Sequence, residues 1–340
     1  MSYVIAGILG LALLMVVHES GHLLVARAFG MRVIRFSIGF GPPLWRYQAK
    51  GSETIYQVAL IPFLAYVQIA GMNPFEENDP NDKGSYANAS LIARISAIVA
   101  GPLANYLFAS VLFFFLFAFG GKAMPTTTVR LVEGPGPARS AQIKDGDTIL
   151  KINGTEVKEW DAMRELIVAN SNKPMDVRIE RDGKPLDLKI TPEVKDGRGM
   201  IGVTSVEKLV PLGFKAAAVE SIELPAKVVG TLVVGLARIL TGKEKPQLSG
   251  PVGIVKETSR AAEQGWAPYV YLLGLLSAYL GGFNVLPFPA LDGGRLAFLG
   301  YEAVTRRRPN AKVEAQVHLL GLVMLLALIA VVSVFDIRGN

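Results

Sequence analysis

The chain has 340 residues, of which 51% are hydrophobic and 19% charged, with a formal net charge of +6 and no cysteine. Soluble domains are about a quarter charged, so this balance favours an integral membrane protein. The lack of cysteine excludes a disulfide scaffold and any thiolate metal or iron–sulfur site. The surplus of positive charge requires no nucleic acid, because Arg306, Arg307, Arg308 and Lys312 cluster beside an apolar stretch, where basic residues fix membrane topology.

In chain order, the first apolar stretch is Val4–Phe29. It lacks a basic leading region and a small-residue cleavage site, so we read it as retained in the protein. Three more stretches reach the roughly 20 residues that a span requires: Ile95–Gly121, Trp266–Leu291 and Ala315–Phe335. Between the first two lie β-type sequences. Arg32–Ile38 alternates apolar and polar residues, and Thr54–Gln68 is rich in β-branched and aromatic ones. The segment Gly39-Phe40-Gly41-Pro42-Pro43 reads as the turn between them. Apolar strands beside a membrane helix have unpaired edges, which calls for packing on protein or completion by a substrate strand.

Residues 126–206 change to the composition of a small soluble domain, with VRLVEG, DTILKING, DVRIER and LDLKI as short strands. Asn153-Gly154 and Asp182-Gly183 mark hairpin turns, Trp160–Ala169 a helix and Ala138–Ile143 a shorter one. Phe214–Thr241 is apolar but interrupted by Lys215, Glu220, Glu223, Lys227 and Arg238. It reads as a helix on the membrane surface or packed on the bundle, with a fifth span as the rival. The expected organisation is a first transmembrane helix over 1–30, a cytoplasm-side β region over 31–90 and a second span over 91–122. The soluble domain then occupies 126–206 and membrane-associated helices 207–265, before the last two membrane segments at 266–292 and 315–335. Arg295 and the 306–312 basic cluster outweigh Asp292, Glu302 and Glu314 in the last connection and place it in the cytoplasm, with both termini and the central domain opposite.

The chemistry concentrates in the first stretch. His18-Glu19-Ser20-Gly21-His22 spells H-E-x-x-H, and positions i and i+4 share a helix face, so the two imidazoles can meet one zinc ion with Glu19 beside it as a base for water. An uncompensated carboxylate in hydrocarbon costs several kcal/mol, which argues against a merely structural Glu19. The extended motif of soluble enzymes would put Gly and His at positions held by Val25 and Ala28, so a third ligand must come from elsewhere. Two candidates remain, Asp292 and His318, the latter being the one other histidine in the chain. Asp292 closes the segment Asn284–Gly294 (NVLPFPALDGG), whose prolines and glycines break a helix and allow a sharp reversal.

H-E-S-G-H followed by N-x-x-P-x-P-x-L-D-G-G resembles the intramembrane site-2 zinc metalloproteases, nearest their bacterial RseP-like branch. FSIGFGPPLW after the first stretch, AGPLAN at the second (Gly101, Pro102, Asn105) and LSGPVGI before the third (Leu248–Ile254) extend the resemblance to essentially the whole chain. It implies one zinc ion held by His18, His22 and Asp292, Glu19 as the residue that activates water, and Asn284 in substrate handling. It also implies cleavage within transmembrane segments of single-span proteins, such as anti-sigma factors or remnant signal peptides, at a bacterial inner membrane. The chain departs from many relatives at Arg295, where they carry His, and at Leu64-Ala65-Tyr66-Val67, where they carry G-G-Y-V. GPGPARSAQIKDGDTILKINGTEV is similar to the core of a PDZ domain, and the chain has room for one. In the family's circularly permuted form, Gly199, Ile201 and Gly202 would match the loop that binds a peptide C-terminus, on the extracytoplasmic side. The implied fold is a polytopic α-helical membrane protein of about four spans, with a membrane-associated β hairpin or sheet and an inserted β-rich PDZ domain. A membrane adaptor with a vestigial zinc site and a zinc carrier are the alternatives. An intact Glu19 beside the first histidine disfavours both.

Overall fold

A computed structural model describes residues 2–73, 79–195, 197–244 and 250–338. Leu248 and Ser249 of the LSGPVGI segment lie outside the described residues. The chain divides into two compact units, one made of residues 1–116 and 213–340 and the other of residues 117–212.

The first unit begins with α1 (Ser2–Ala28), uncharged as far as Val17, and continues with β1 (Val33–Tyr47), β2 (Ile55–Ile69) and α2 (Leu91–Phe115). The Ser90 hydroxyl caps α2 by accepting from the Ala93 N–H at 3.2 Å. Gly39–Pro43 reverses the chain, as the sequence suggested, with Gly39 and Gly41 at φ of +92° and +93°. It leads first into residues 43–47, and a second reversal at residues 48–54 leads into β2. Because both strands bend, each occupies two lanes of the sheet. Residues 33–38 run antiparallel to 65–69 and beside 55–58 in ascending register, while 43–47 pair antiparallel with 56–59. The lane 65–69 is therefore an outer edge. Leu23, Ala26, Val33, Phe36, Ile69 and Ala97 pack α1, the sheet and α2 into one buried cluster.

In the second unit, β3 (Lys122–Leu131), α3 (Pro137–Ser140), β4 (Thr148–Ile152), β5 (Thr155–Glu156), α4 (Trp160–Ala169), β6 (Met175–Arg181) and β7 (Lys184–Ile190) follow one another. β8 (Glu193–Lys195), β9 (Arg198–Met200) and β10 (Val203–Val210) complete it. The main sheet runs β10-β3-β4-β6-β7, with β5 paired to β4. Strand β6 alternates strictly, burying Met175, Val177 and Ile179 while Asp176, Arg178 and Glu180 face out, so one face of the sheet makes the core with Ile149, Ile152 and Met163. Asn153-Gly154 and Asp182-Gly183 turn with both residues at positive φ, the geometry of tight hairpins.

The chain then returns to the first unit as α5 (Phe214–Leu240), α6 (Pro251–Gln264), α7 (Trp266–Val285), α8 (Asp292–Thr305) and α9 (Ala311–Arg338). α5 is a single helix packed on α2 and α7. Among the described residues, three helices are long and apolar enough to cross a membrane: Tyr3–Ala28, Leu91–Gly120 and Ala311–Asp336. The last of these leaves Leu319, Leu320, Val323 and Leu326 exposed. α7 carries no charge over its 20 residues, but its tyrosines, glycines, Ser277 and Asn284 dilute its hydropathy and it does not join these three. It also ends earlier than the sequence suggested, at Val285, and Asp292 opens a separate helix. Pro287 and Pro289, which cannot donate to a helix ladder, account for the break.

Candidate metal centre

His18 and His22 stand one turn apart on the buried face of α1, 7% and 5% exposed. The turn between α7 and α8 brings Asp292 to them. His18 Nε2 lies 3.0 Å from Asp292 Oδ2, His22 Nε2 lies 3.3 Å from the same oxygen, and the two Nε2 atoms are 3.2 Å apart. A tetrahedral zinc with ligand distances of about 2.0–2.1 Å sets neighbouring ligand atoms about 3.3–3.4 Å apart. The triangle of 3.0–3.3 Å edges thus has the size and the donor types of one face of such a site.

Each vertex is held from outside. His22 Nδ1 donates to the Ala97 carbonyl of α2 at 2.7 Å, which leaves Nε2 with a free lone pair. Gly101, one turn further along α2, lies directly under that ring: a β-carbon there would overlap Nε2, Cε1 and Cδ2 of His22. Asp292 is held through the turn that precedes it. The Ala290 N–H, at a strained φ of +75°, donates to His318 Nδ1 at 3.1 Å. Gly293 has no room for a β-carbon against the carbonyls of Val285 and Leu286. Further along α8, Glu302 receives a two-pronged ion pair from Arg94 of α2, at 3.0 and 2.5 Å and almost fully buried. Removing one partner of such a pair costs about 3–5 kcal/mol, so α8 is firmly registered against α2.

Glu19 sits beside the triangle, and its Oε2 accepts the Val67 N–H of β2 at 3.0 Å. That N–H faces away from β1, so the outer edge of the sheet runs past the carboxylate. A cavity of about 350 Å³ follows the same edge, lined by Tyr66, Val67, Gln68, Ile69, Met72 and Arg295.

His18, His22 and Asp292 therefore form one cluster with Glu19 adjoining it, and they are the one group among the described residues whose ligand atoms are spaced to share a metal ion. His318, the other candidate third ligand, instead props the turn. Asn284 lies in the last turn of α7, half-buried, with its Nδ2 donating to the Leu280 carbonyl at 2.9 Å. Gly199, Ile201 and Gly202 lie in the second unit. A β-carbon at Gly199 would collide with Ser171 and the Ile167 carbonyl, the Ile201 side chain is in the core, and Gly202 has φ of +80°. Sequence reasoning missed Ala97, Gly101 and the bond from Val67. The stripe Ala97, Gly101, Asn105 at four-residue intervals on α2 was the signal available, marking a face that something approaches closely.

A model of peptidase family M50 matches residues 6–328. The chain belongs to that family. The zinc metalloprotease RasP of Geobacillus kaustophilus is 30% identical over 94% of this chain and 94% of its own length. The regulator of sigma-W protease RasP of Bacillus subtilis is 30% identical over 98% of both chains. A protein of Nostoc sp. is 34% identical over 96% of this chain and 93% of its own. This member of family M50 is accordingly a zinc metalloprotease and a membrane protein, and the His18–His22–Asp292 group is suited to hold its metal.

Proposed function

We propose that this M50 protease hydrolyses peptide bonds inside the transmembrane segments of single-span proteins. The observation that carries the reading is the location of the metal-type triangle. Two of its three vertices lie within α1, a helix apolar enough to cross a membrane, so a substrate must reach the site within the bilayer.

His18, His22 and Asp292 would hold the zinc. Zinc so held supplies Lewis-acid polarisation of a carbonyl and makes a neighbouring water acidic near neutral pH. Glu19 acts as the general base. The Val67 N–H fixes one of its oxygens, leaving Oε1 to take a proton from the attacking water and pass it to the departing amide nitrogen. A helical substrate hides its amides in its own ladder and must unwind first. The edge at residues 65–69 is suited to receive the unwound stretch as an added strand, aligned past Glu19. Asn284, at the end of α7, is assigned to hold the substrate backbone.

We place the protein in a bacterial inner membrane with α7 as a fourth span. The 117–212 unit is read as one PDZ domain on the extracytoplasmic side, where Gly199, Ile201 and Gly202 would receive a peptide C-terminus. Substrates of this class include anti-sigma factors, consistent with the sigma-W regulator among the relatives, and remnant signal peptides.

The test is cleavage of a single-span reporter by the purified protein in liposomes, wild type against Glu19→Gln. Cutting by the wild type alone supports the reading. Equal cutting by both removes Glu19 from it, and no cutting by either across a panel of reporters favours an adaptor.

A further inference from the structure

We propose that Asn105 is the positioning residue for His18, and that its amide sets which nitrogen of the His18 ring carries the proton. This inference rests on the reading of His18, His22 and Asp292 as zinc ligands. Asn105 is fully buried in α2, and its Nδ2 lies 3.1 Å from His18 Nδ1. Its Oδ1 is buried and, among the described residues, has no hydrogen-bond partner. The residue's backbone carbonyl accepts from Ser277 Oγ of α7 at 2.9 Å, so the main chain is anchored and the amide plane is the part left free to turn.

His22 shows what a ligand histidine needs. Its Nδ1–H is spent on the Ala97 carbonyl, and Nε2 is left with a lone pair for the metal. His18 also presents Nε2 to the triangle, 3.0 Å from Asp292 Oδ2 and 3.2 Å from His22 Nε2. For that Nε2 to donate its lone pair, the ring proton must sit on Nδ1 and find an acceptor. Asn105 is the partner that the structure sets at Nδ1. Half a turn of its amide exchanges two ends of nearly equal size, so Oδ1 replaces Nδ2 and accepts Nδ1–H. With Nδ2 turned inward, the amide donates to a bare Nδ1 and leaves the proton on Nε2, bonded to Asp292. With Oδ1 turned inward, Nε2 is free to bind. A neutral amide is matched to both tautomers. Aspartate could only accept and would hold the proton on Nδ1, whereas leucine and alanine serve neither.

The experiment is chelator competition for zinc on the full chain in detergent micelles, with helix content followed by circular dichroism. Asn105→Leu and Asn105→Ala should each weaken zinc binding about 10–100-fold, the usual effect of losing such an outer partner. Asn105→Asp should bind at wild-type strength or tighter. Ser277→Ala, which removes the α2–α7 bond without touching His18, should leave affinity unchanged. Wild-type affinity in Asn105→Leu or Asn105→Ala would overturn the proposal. So would equal losses in Asn105→Asp, or a loss in Ser277→Ala matching that of Asn105→Leu, because both point to packing. His18→Ala separates this inference from the reading beneath it: wild-type zinc binding by that variant contradicts the metal centre itself.

Discussion

Gly101→Ala tests whether α2 is the template of the metal centre. The new β-carbon would stand 2.5 Å from His22 Cε1 and 2.9 Å from Cδ2, against the 3.4 Å at which ordinary contact begins. Nε2 would be closer still, so the ring must retreat by at least about 0.9 Å, the difference between 3.4 and 2.5. A retreat of that size from α2 would stretch its 2.7 Å bond to the Ala97 carbonyl. Metal–ligand distances tolerate about 0.2 Å, and a misplacement of about 1 Å near the chemistry costs about 100-fold in rate. Alanine is the better helix former by about 0.5–1 kcal/mol, so propensity works in favour of the variant and any loss must come from the collision. Gly101→Ala should thus keep its helix content, bind zinc at least about tenfold more weakly, and cleave about 100-fold more slowly. The assays are chelator competition in micelles and reporter cleavage in liposomes. Wild-type zinc affinity together with wild-type turnover would refute the argument that α2 sets the position of His22.

Glu19→Gln preserves shape and the acceptor for the Val67 N–H, so zinc content should hold while turnover falls about 10²–10⁴-fold, read by metal analysis beside the cleavage assay. Ala65→Pro removes an N–H that, by strand alternation, points to the same side as that of Val67. One lost backbone bond is worth about 0.5–1.5 kcal/mol, so kcat/KM should fall about 2–10-fold with zinc binding unchanged. In the 117–212 unit, burial by itself would raise the Asp147 carboxyl, but bonds from Arg181 and the Lys144 N–H outweigh it and hold it below the usual carboxylate range. A carboxyl lowered by folding stabilises at pH values above its unfolded pKa of about 3.9, and the contribution is lost as pH falls through the folded value. Hydrogen exchange across residues 117–212 should therefore quicken below about pH 4 in the wild type, and Asp147→Asn should flatten that dependence.

The parts of the site legible in the sequence are those whose geometry is local. His18 and His22 share a face because a helix repeats every 3.6 residues, and the break before Asp292 follows from Pro287, Pro289 and the two glycines. The hairpins at Asn153-Gly154 and Asp182-Gly183 are likewise fixed by residues that tolerate positive φ. Where register between distant elements decides, the sequence is silent. Nothing local says that Gly101 faces His22, that Val67 reaches Glu19, or that His318 holds the Ala290 N–H. Gly39–Pro43 is legible as a turn because its glycines supply the positive φ, but the lane that residues 43–47 then join, 56–59, is set by pairing farther along the chain and is not local.

The most direct test of an intramembrane zinc protease is the position of the bond it cuts. The wild-type protein, reconstituted with a single-span reporter, should yield two products whose masses place the scissile bond within the reporter's apolar segment, and zinc chelation should abolish both. A cut mapped to the flanking soluble sequence, or one that survives removal of zinc, would contradict the account.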